Sequence, residues 1–172
     1  RYNITGTYVL ENKSDQPIQE VVFNLPDDFR IIKAVFQCKG QKIIIDRKFQ
    51  VVALDKPFQQ NEKASFDFEI GYQWLPINGH QSFNSIIENG TFMRISRYYP
   101  LVGYQSGREV DDRNIRQTNG LGEVTQMKPL NAPKVANNDL INLELTISTE
   151  MDQTAIAIGD LKKEWKQDNR AY

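Results

Sequence analysis

The residues of this chain that could carry chemistry are few and scattered. There is one histidine, His80, and one cysteine, Cys38. Zinc hydrolysis needs ligands at fixed spacing, typically a His-Glu-x-x-His pair on one helix face, and a single histidine cannot supply it. A Ser-His-Asp triad would have to recruit His80, and no G-x-S-x-G elbow surrounds any serine. Asp111 and Asp112 are adjacent acids without calcium-loop spacing, and they read as the solvated face of a helix. Gly103 and Gly107 lie in YPLVGYQSGRE, which has neither the lysine nor the glycine pattern of a phosphate cradle. His80, beside Gly79 in a polar stretch, reads as a surface residue. Cys38 has no disulfide partner and lies in an apolar segment, so it reads as a small buried hydrophobe.

The most specific stretch is of another kind. From Asn89 to Arg113 the chain runs NGTFMRISRYYPLVGYQSGREVDDR, dense in aromatic rings and guanidinium groups. Large rigid rings and forked donors supply contact area, and these residue types are enriched at interfaces. Trp74, Arg97, Tyr98, Tyr99, Tyr104, Arg108 and Glu109 are the candidate interface residues. The same tyrosines could equally be core aromatics with bonded hydroxyls, and the sequence leaves both roles open. Glu109 with Arg108, and Asp112 with Arg113 and Arg116, read as an ion-pair network pinning the segment. Asn3-Ile4-Thr5, Asn12-Lys13-Ser14 and Asn89-Gly90-Thr91 match the glycosylation acceptor pattern, which matters only in a eukaryotic secreted protein.

The elements that must hold these residues are strands. Ile4, Gly6, Tyr8 and Leu10 alternate with polar residues and share one face. Further strands are expected over Ile18–Leu25, Phe29–Gln37, Lys42–Asp46, Phe49–Leu54 and Ala64–Tyr72, with turns at Asn12–Pro17, Pro26–Asp28, Lys39–Gln41 and Pro57–Asn61. In the last strand Ala64, Phe66, Phe68, Ile70 and Tyr72 alternate without a break. Residues 73–91 read as a long loop. Strand character resumes over Thr91–Arg97, and a short charged helix is expected over Glu109–Gln117, ended by Asn119-Gly120. Residues 122–139 read as an irregular excursion, so that 107–139 holds the helix plus this excursion. Leu140–Ser148 and Thr154–Ile158 are expected strands, the first with Leu143, Leu145 and Ile147 on one face. Alternating strands at this spacing predict an all-β, antiparallel sandwich over residues 1–172, a single domain with one short helix.

Composition narrows the partners. The 172 residues are 40% hydrophobic and 25% charged, with a net charge of −1. That balance suits a globular domain and gives no reason to expect nucleic acid. No apolar run approaches the ~18 residues of a membrane helix, so this chain is not itself expected to span a membrane. Its first residues, Arg1-Tyr2-Asn3, enter a strand pattern with no lead-in, as in a piece cut from a larger protein.

Several blocks together resemble a known family. They are GTYVLENKSDQPI from Gly6, NGTF from Asn89, YPLVGYQSGREVDDRNIRQTNGLG from Tyr99, LELTISTEMDQTAIAIGDLKKEW from Leu143 and the final NRAY. In order and spacing they resemble the extracytoplasmic amino-terminal domain of bacterial proteins that join an ABC-type permease to an aminopeptidase N-like, zinc metallopeptidase region. The resemblance implies an all-β saddle that packs on a catalytic domain. It implies that zinc and the substrate-amine motif belong to that downstream domain, with no cofactor in this chain. It carries over no site residue, because FMRISRYYP departs from the family pattern where an amine-binding Gln is expected.

The resulting expectation is a non-catalytic accessory domain of a membrane-bound aminopeptidase-like protein. It would sit on the periplasmic or extracellular face of a bacterial membrane. Its partners would be the neighbouring domain of its parent and that parent's peptide substrate. The alternative is a stand-alone ligand- or carbohydrate-binding module anchored on Trp74. An assembly domain is a third reading, which an uncharged, unpaired edge strand would favour.

Overall fold

The computed structural model describes residues 2–25, 27, 29–48, 50–72, 85–87, 90–92, 99–105, 109–123 and 141–172. Among the described residues the fold is all-β, with antiparallel sheets and one short helix. Sequence periodicity reads the chain as one domain; its packing groups into two compact units, Arg1–Val124 and Thr125–Tyr172.

The first unit is a two-sheet sandwich. Strands β1 (Tyr2–Glu11), β3 (Arg30–Cys38), β4 (Gln41–Ile44) and β6 (Lys63–Tyr72) form one sheet in the order β1-β6-β3-β4. Strands β2 (Ile18–Asn24), β5 (Val51–Phe58) and β9 (Leu101–Val102) form the other, in the order β5-β2-β9. β6 is central because it can bury one full face: Ala64, Phe66, Phe68, Ile70 and Tyr72 are all buried, as their strict alternation predicts. Phe23 of the second sheet meets Phe66 at 4.7 Å and Phe36 at 5.3 Å between ring centroids. Phe23, Phe36, Phe66, Leu25, Ile45 and Ile70 are sealed from solvent and form the centre of the core. Cys38 joins that core, as expected, and burial pushes its thiol pKa up.

Turn chemistry sets the registers. Lys39 and Gly40 both take positive φ, 49° and 83°, the mirror-image turn that matches strand twist. It pairs Cys38 with Gln41 across β3 and β4. After β1, Asn12 is buried, and its side chain closes the Asn12–Gln16 turn. Its amide nitrogen donates to Gln16 O (2.9 Å) and Phe58 O (2.8 Å), and its oxygen accepts from Ser14 N and Oγ. The nitrogen of this acceptor-like tripeptide is therefore fully engaged in the folded chain.

Gly6 is glycine for space rather than for φ. A Cβ built there would lie 2.4 Å from Phe68 Cζ and 2.6 Å from Cε1, because the Phe68 ring lies across its register partner in β1.

Several elements differ from expectation. Pro57 and Phe58, expected in a turn, end β5, where the pairing with β2 slips between Ile18 and Glu20. β7 (Ser85–Ile87) and β8 (Gly90–Phe92) form a hairpin inside and beyond the expected 73–91 loop, and the rest of that loop lies outside the described residues. The helix α1 is Arg113–Thr118, starting later than expected because Asp112 is its N-cap and accepts from Ile115 N at 2.9 Å.

The second unit is described over 141–172. β10 (Thr149–Glu150), β11 (Lys166–Gln167) and β12 (Arg170–Ala171) form a small sheet in the order β10-β12-β11. Asp168 and Asn169, both at positive φ, turn β11 into β12. The Trp165 indole stacks on the Tyr172 ring at 4.9 Å, with the Lys163 ammonium 5.1 Å from the indole. The expected strands over Leu140–Ser148 and Thr154–Ile158 are not formed: 141–148 and 154–158 join no ladder. Ile141, Leu143, Ile156 and Ile158 are exposed. Alternation marks which residues share a face, but a strand exists only where its backbone groups find a partner edge.

Candidate docking surface held by Arg116

The candidate site is the segment that leaves β9 and runs through α1. β9 is two residues long and would not form alone. Phe23 pairs with Val102 and Asn24 with Leu101. Beyond it Gly103, at φ 92°, turns the chain in a conformation that a side chain would strain. Val22 O accepts from Gly103 N at 2.8 Å, and Gly103 O accepts from Asn24 Nδ2 at 2.9 Å.

The predicted interface residues separate here. Tyr99 is half-buried and packs against the core, its ring 6.3 Å from that of Tyr8. Tyr8 in turn donates its hydroxyl to Pro100 O at 2.8 Å. Burial, and then the neighbouring Tyr99, raise the pKa of the Tyr8 phenol well above its usual range. So the Tyr8–Tyr99–Pro100 corner fastens the start of the segment to the sandwich. Tyr104, by contrast, is exposed, and its hydroxyl donates to the Glu109 carboxylate. Trp74, Arg97, Tyr98 and Arg108 lie outside the described residues, as does His80.

Arg116 organises the rest of the segment. It is 8% exposed, although it sits on a six-residue surface helix. Its Nη1 donates to Glu109 Oε1 (3.0 Å) and Val110 O (2.6 Å). Its Nη2 donates to Gly122 O (2.6 Å) and Glu123 O (3.0 Å), and Nε also reaches Gly122 O (2.8 Å). One planar fork thus ties the chain before α1 to the chain after it. Among the described residues Glu109 pairs with Arg116 and Asp112 caps the helix, while the expected Glu109–Arg108 pair lies outside them. Sequence reasoning included Arg116 but missed its centrality, since four of its five bonds go to backbone carbonyls, which carry no residue signature.

The clasp holds apolar side chains outward. Tyr104, Val110, Ile115 and Leu121 are all exposed, Tyr104 and Ile115 by more than half. Glu109, Asp112 and Arg116 spend polar atoms on the segment itself, while Tyr104, Val110, Ile115 and Leu121 are presented to solvent. Among the described residues no group of three or more His, Cys, Asp or Glu side chains converges as a metal site. Among them, too, no helix is long and apolar enough to cross a membrane. Scans against protein-family models, curated proteins and solved structures find no match to this chain.

Proposed function

We propose that this chain is a non-catalytic packing and recognition module, an all-β domain that docks on a neighbouring domain of its parent. On the resemblance of its sequence blocks, that neighbour is metallopeptidase-like and the parent is a membrane-bound aminopeptidase-like protein with ABC-permease character. The module sits on the periplasmic or extracellular face of the membrane. Its docking shapes the entrance through which the parent's peptide substrate passes, and any zinc belongs to the neighbour.

The observation that carries this reading is the Arg116 clasp. A buried guanidinium is committed to fixing an outer segment, not to the sandwich core, and the segment so fixed displays Tyr104, Val110, Ile115 and Leu121. Rigid presentation of apolar groups lowers the ordering penalty of association.

The test starts from the coding sequence downstream of Tyr172. The region it encodes is expressed and titrated with this chain by calorimetry. Saturable binding that Ile115→Glu or Leu121→Glu weakens about tenfold or more supports the reading. An unrelated downstream region, or binding indifferent to both variants, overturns it.

A further inference from the structure

Among the described residues the two sheets of the sandwich have four edges, and three are guarded. β4 is four residues long and carries Lys42. β9 is two residues long. β5 carries Asp55, Lys56 and Pro57, and its pairing register breaks near its end. Short length, lysine, proline and irregularity are the devices that keep sheet edges from pairing with other chains. β1 has none of them. It is ten residues long, contains no proline or lysine, and pairs with β6 without a register break from Tyr2 to Glu11. Among the described residues no ladder covers its other side.

We infer that the free edge of β1 is a self-association surface, on which β1 of a second copy of this chain pairs antiparallel about a two-fold axis at Gly6. The inference stands apart from the docking reading and rests on the composition of the strand. With Gly6 opposite Gly6, Ile4 falls opposite Tyr8, so the sides packed against the core match apolar to apolar. Thr5 falls opposite Thr7 on the outer face, a favourable cross-strand pair. The strand's one charge is Glu11, which already pairs with Lys13 of its own chain. No like charges meet. A slip of one residue would set Ile4 against Thr7 and Tyr8 against Asn3, or Ile4 against Val9 and Tyr8 against Thr5, and lose the match. At the axis the two glycines present no side chains, and each is covered on its core side by its own Phe68 ring. A continuous sheet of eight strands results, with β4 at each end.

Sedimentation equilibrium over a wide concentration range tests this, together with edge variants checked for folding by circular dichroism. Thr5 and Val9 are exposed, so the double variant Thr5→Lys, Val9→Lys alters the edge without entering the core. The expected result is a dimer whose dissociation constant this variant raises at least tenfold, with an unchanged spectrum. Register is read separately: Thr5→Cys with Thr7→Cys gives a covalent dimer on oxidation, because Cβ atoms of directly opposed residues lie about 4.5–5.5 Å apart. The control is Leu145→Lys in the exposed 141–146 stretch, which leaves the dimer intact. A monomer at every concentration overturns the inference. So does a dimer indifferent to the β1 lysines, one abolished by Leu145→Lys alone, or one that does not cross-link.

Discussion

Replacing Gly6 with alanine adds a single methyl group, and the structure assigns that methyl a clash. Its carbon would sit 2.4 Å from Phe68 Cζ, where ordinary contact is about 3.5–4 Å. The ring must therefore retreat by more than about 1 Å, and it has little room to do so. Phe68 is 4% exposed, with the Tyr8 ring at 5.4 Å and the Phe66 ring at 6.1 Å. Overpacking of this kind costs about 1–3 kcal/mol. Against it stands the ordinary gain from replacing a strand glycine with alanine, about 0.5–1 kcal/mol. Gly6→Ala should thus destabilise by about 1–2 kcal/mol in urea unfolding, with the slope unchanged. Gly71→Ala is the comparison, since a Cβ there meets only Asn3 Oδ1 at 3.3 Å and Ile32 Cδ1 at 3.5 Å. It should be neutral or slightly stabilising. A double-mutant cycle closes the argument: in a Phe68→Leu background the Gly6→Ala penalty should shrink by most of its value. If Gly6→Ala is as stable as the parent sequence, or its penalty survives removal of the ring, the steric reasoning is refuted.

Three further outcomes are expected. Arg116→Met removes the clasp, and loss of charge-assisted bonds worth about 1.5–3 kcal/mol each should lower amide exchange protection at Leu121 at least tenfold; Arg116→Lys should not restore it, because a point donor cannot span Glu109 and three carbonyls. Asn12→Ala orphans buried carbonyl groups and should cost about 1–3 kcal/mol in chemical unfolding, whereas Ser14→Ala should cost less, since Ser14 is exposed. The pH profile of unfolding should fall at both ends. The raised Tyr8 pKa means the folded state holds its proton longer, so that contribution is full below the ordinary tyrosine value of about 10 and is lost as pH rises above it. Asp67, hydrogen-bonded by Thr7 and Lys33, and Glu62, bonded by Lys39, have depressed values; their contribution is present above the ordinary carboxylate range near about 4 and is lost as pH falls below it. Tyr8→Phe should flatten the alkaline limb alone.

How much of the fold was legible in the sequence depends on where the information resides. β6 could be read residue by residue because one face is buried along its whole length, and burial forces alternation. The Lys39-Gly40 turn could be read because few residues tolerate positive φ. β9 could not, because its two residues become a strand only through β2, about eighty positions earlier in the chain. Leu143, Leu145 and Ile147 show the converse, since a period of two is present while 141–148 joins no ladder among the described residues. At the candidate site the residue types were visible but their division was not. Tyr99 and Tyr104 are five positions apart and alike in sequence, yet one turns to the core and the other to solvent at the Gly103 bend. The carbonyls gripped by Arg116 leave no trace in residue identity at all.

The order β1-β6-β3-β4 also dictates a sequence of events during synthesis. Lys39-Gly40 can fold β3 against β4 as soon as both have emerged, on a timescale of about 1–10 μs. β1 is made first and must wait longest. Its nearest register partner, Lys63, follows Glu11 by roughly fifty residues, and at about 5–20 residues per second the ribosome needs about 3–10 s to deliver it. Through that interval the first strand has both edges bare. When β6 arrives it bridges β1 to the β3–β4 pair, so the four-stranded sheet is complete only once β6 has been made.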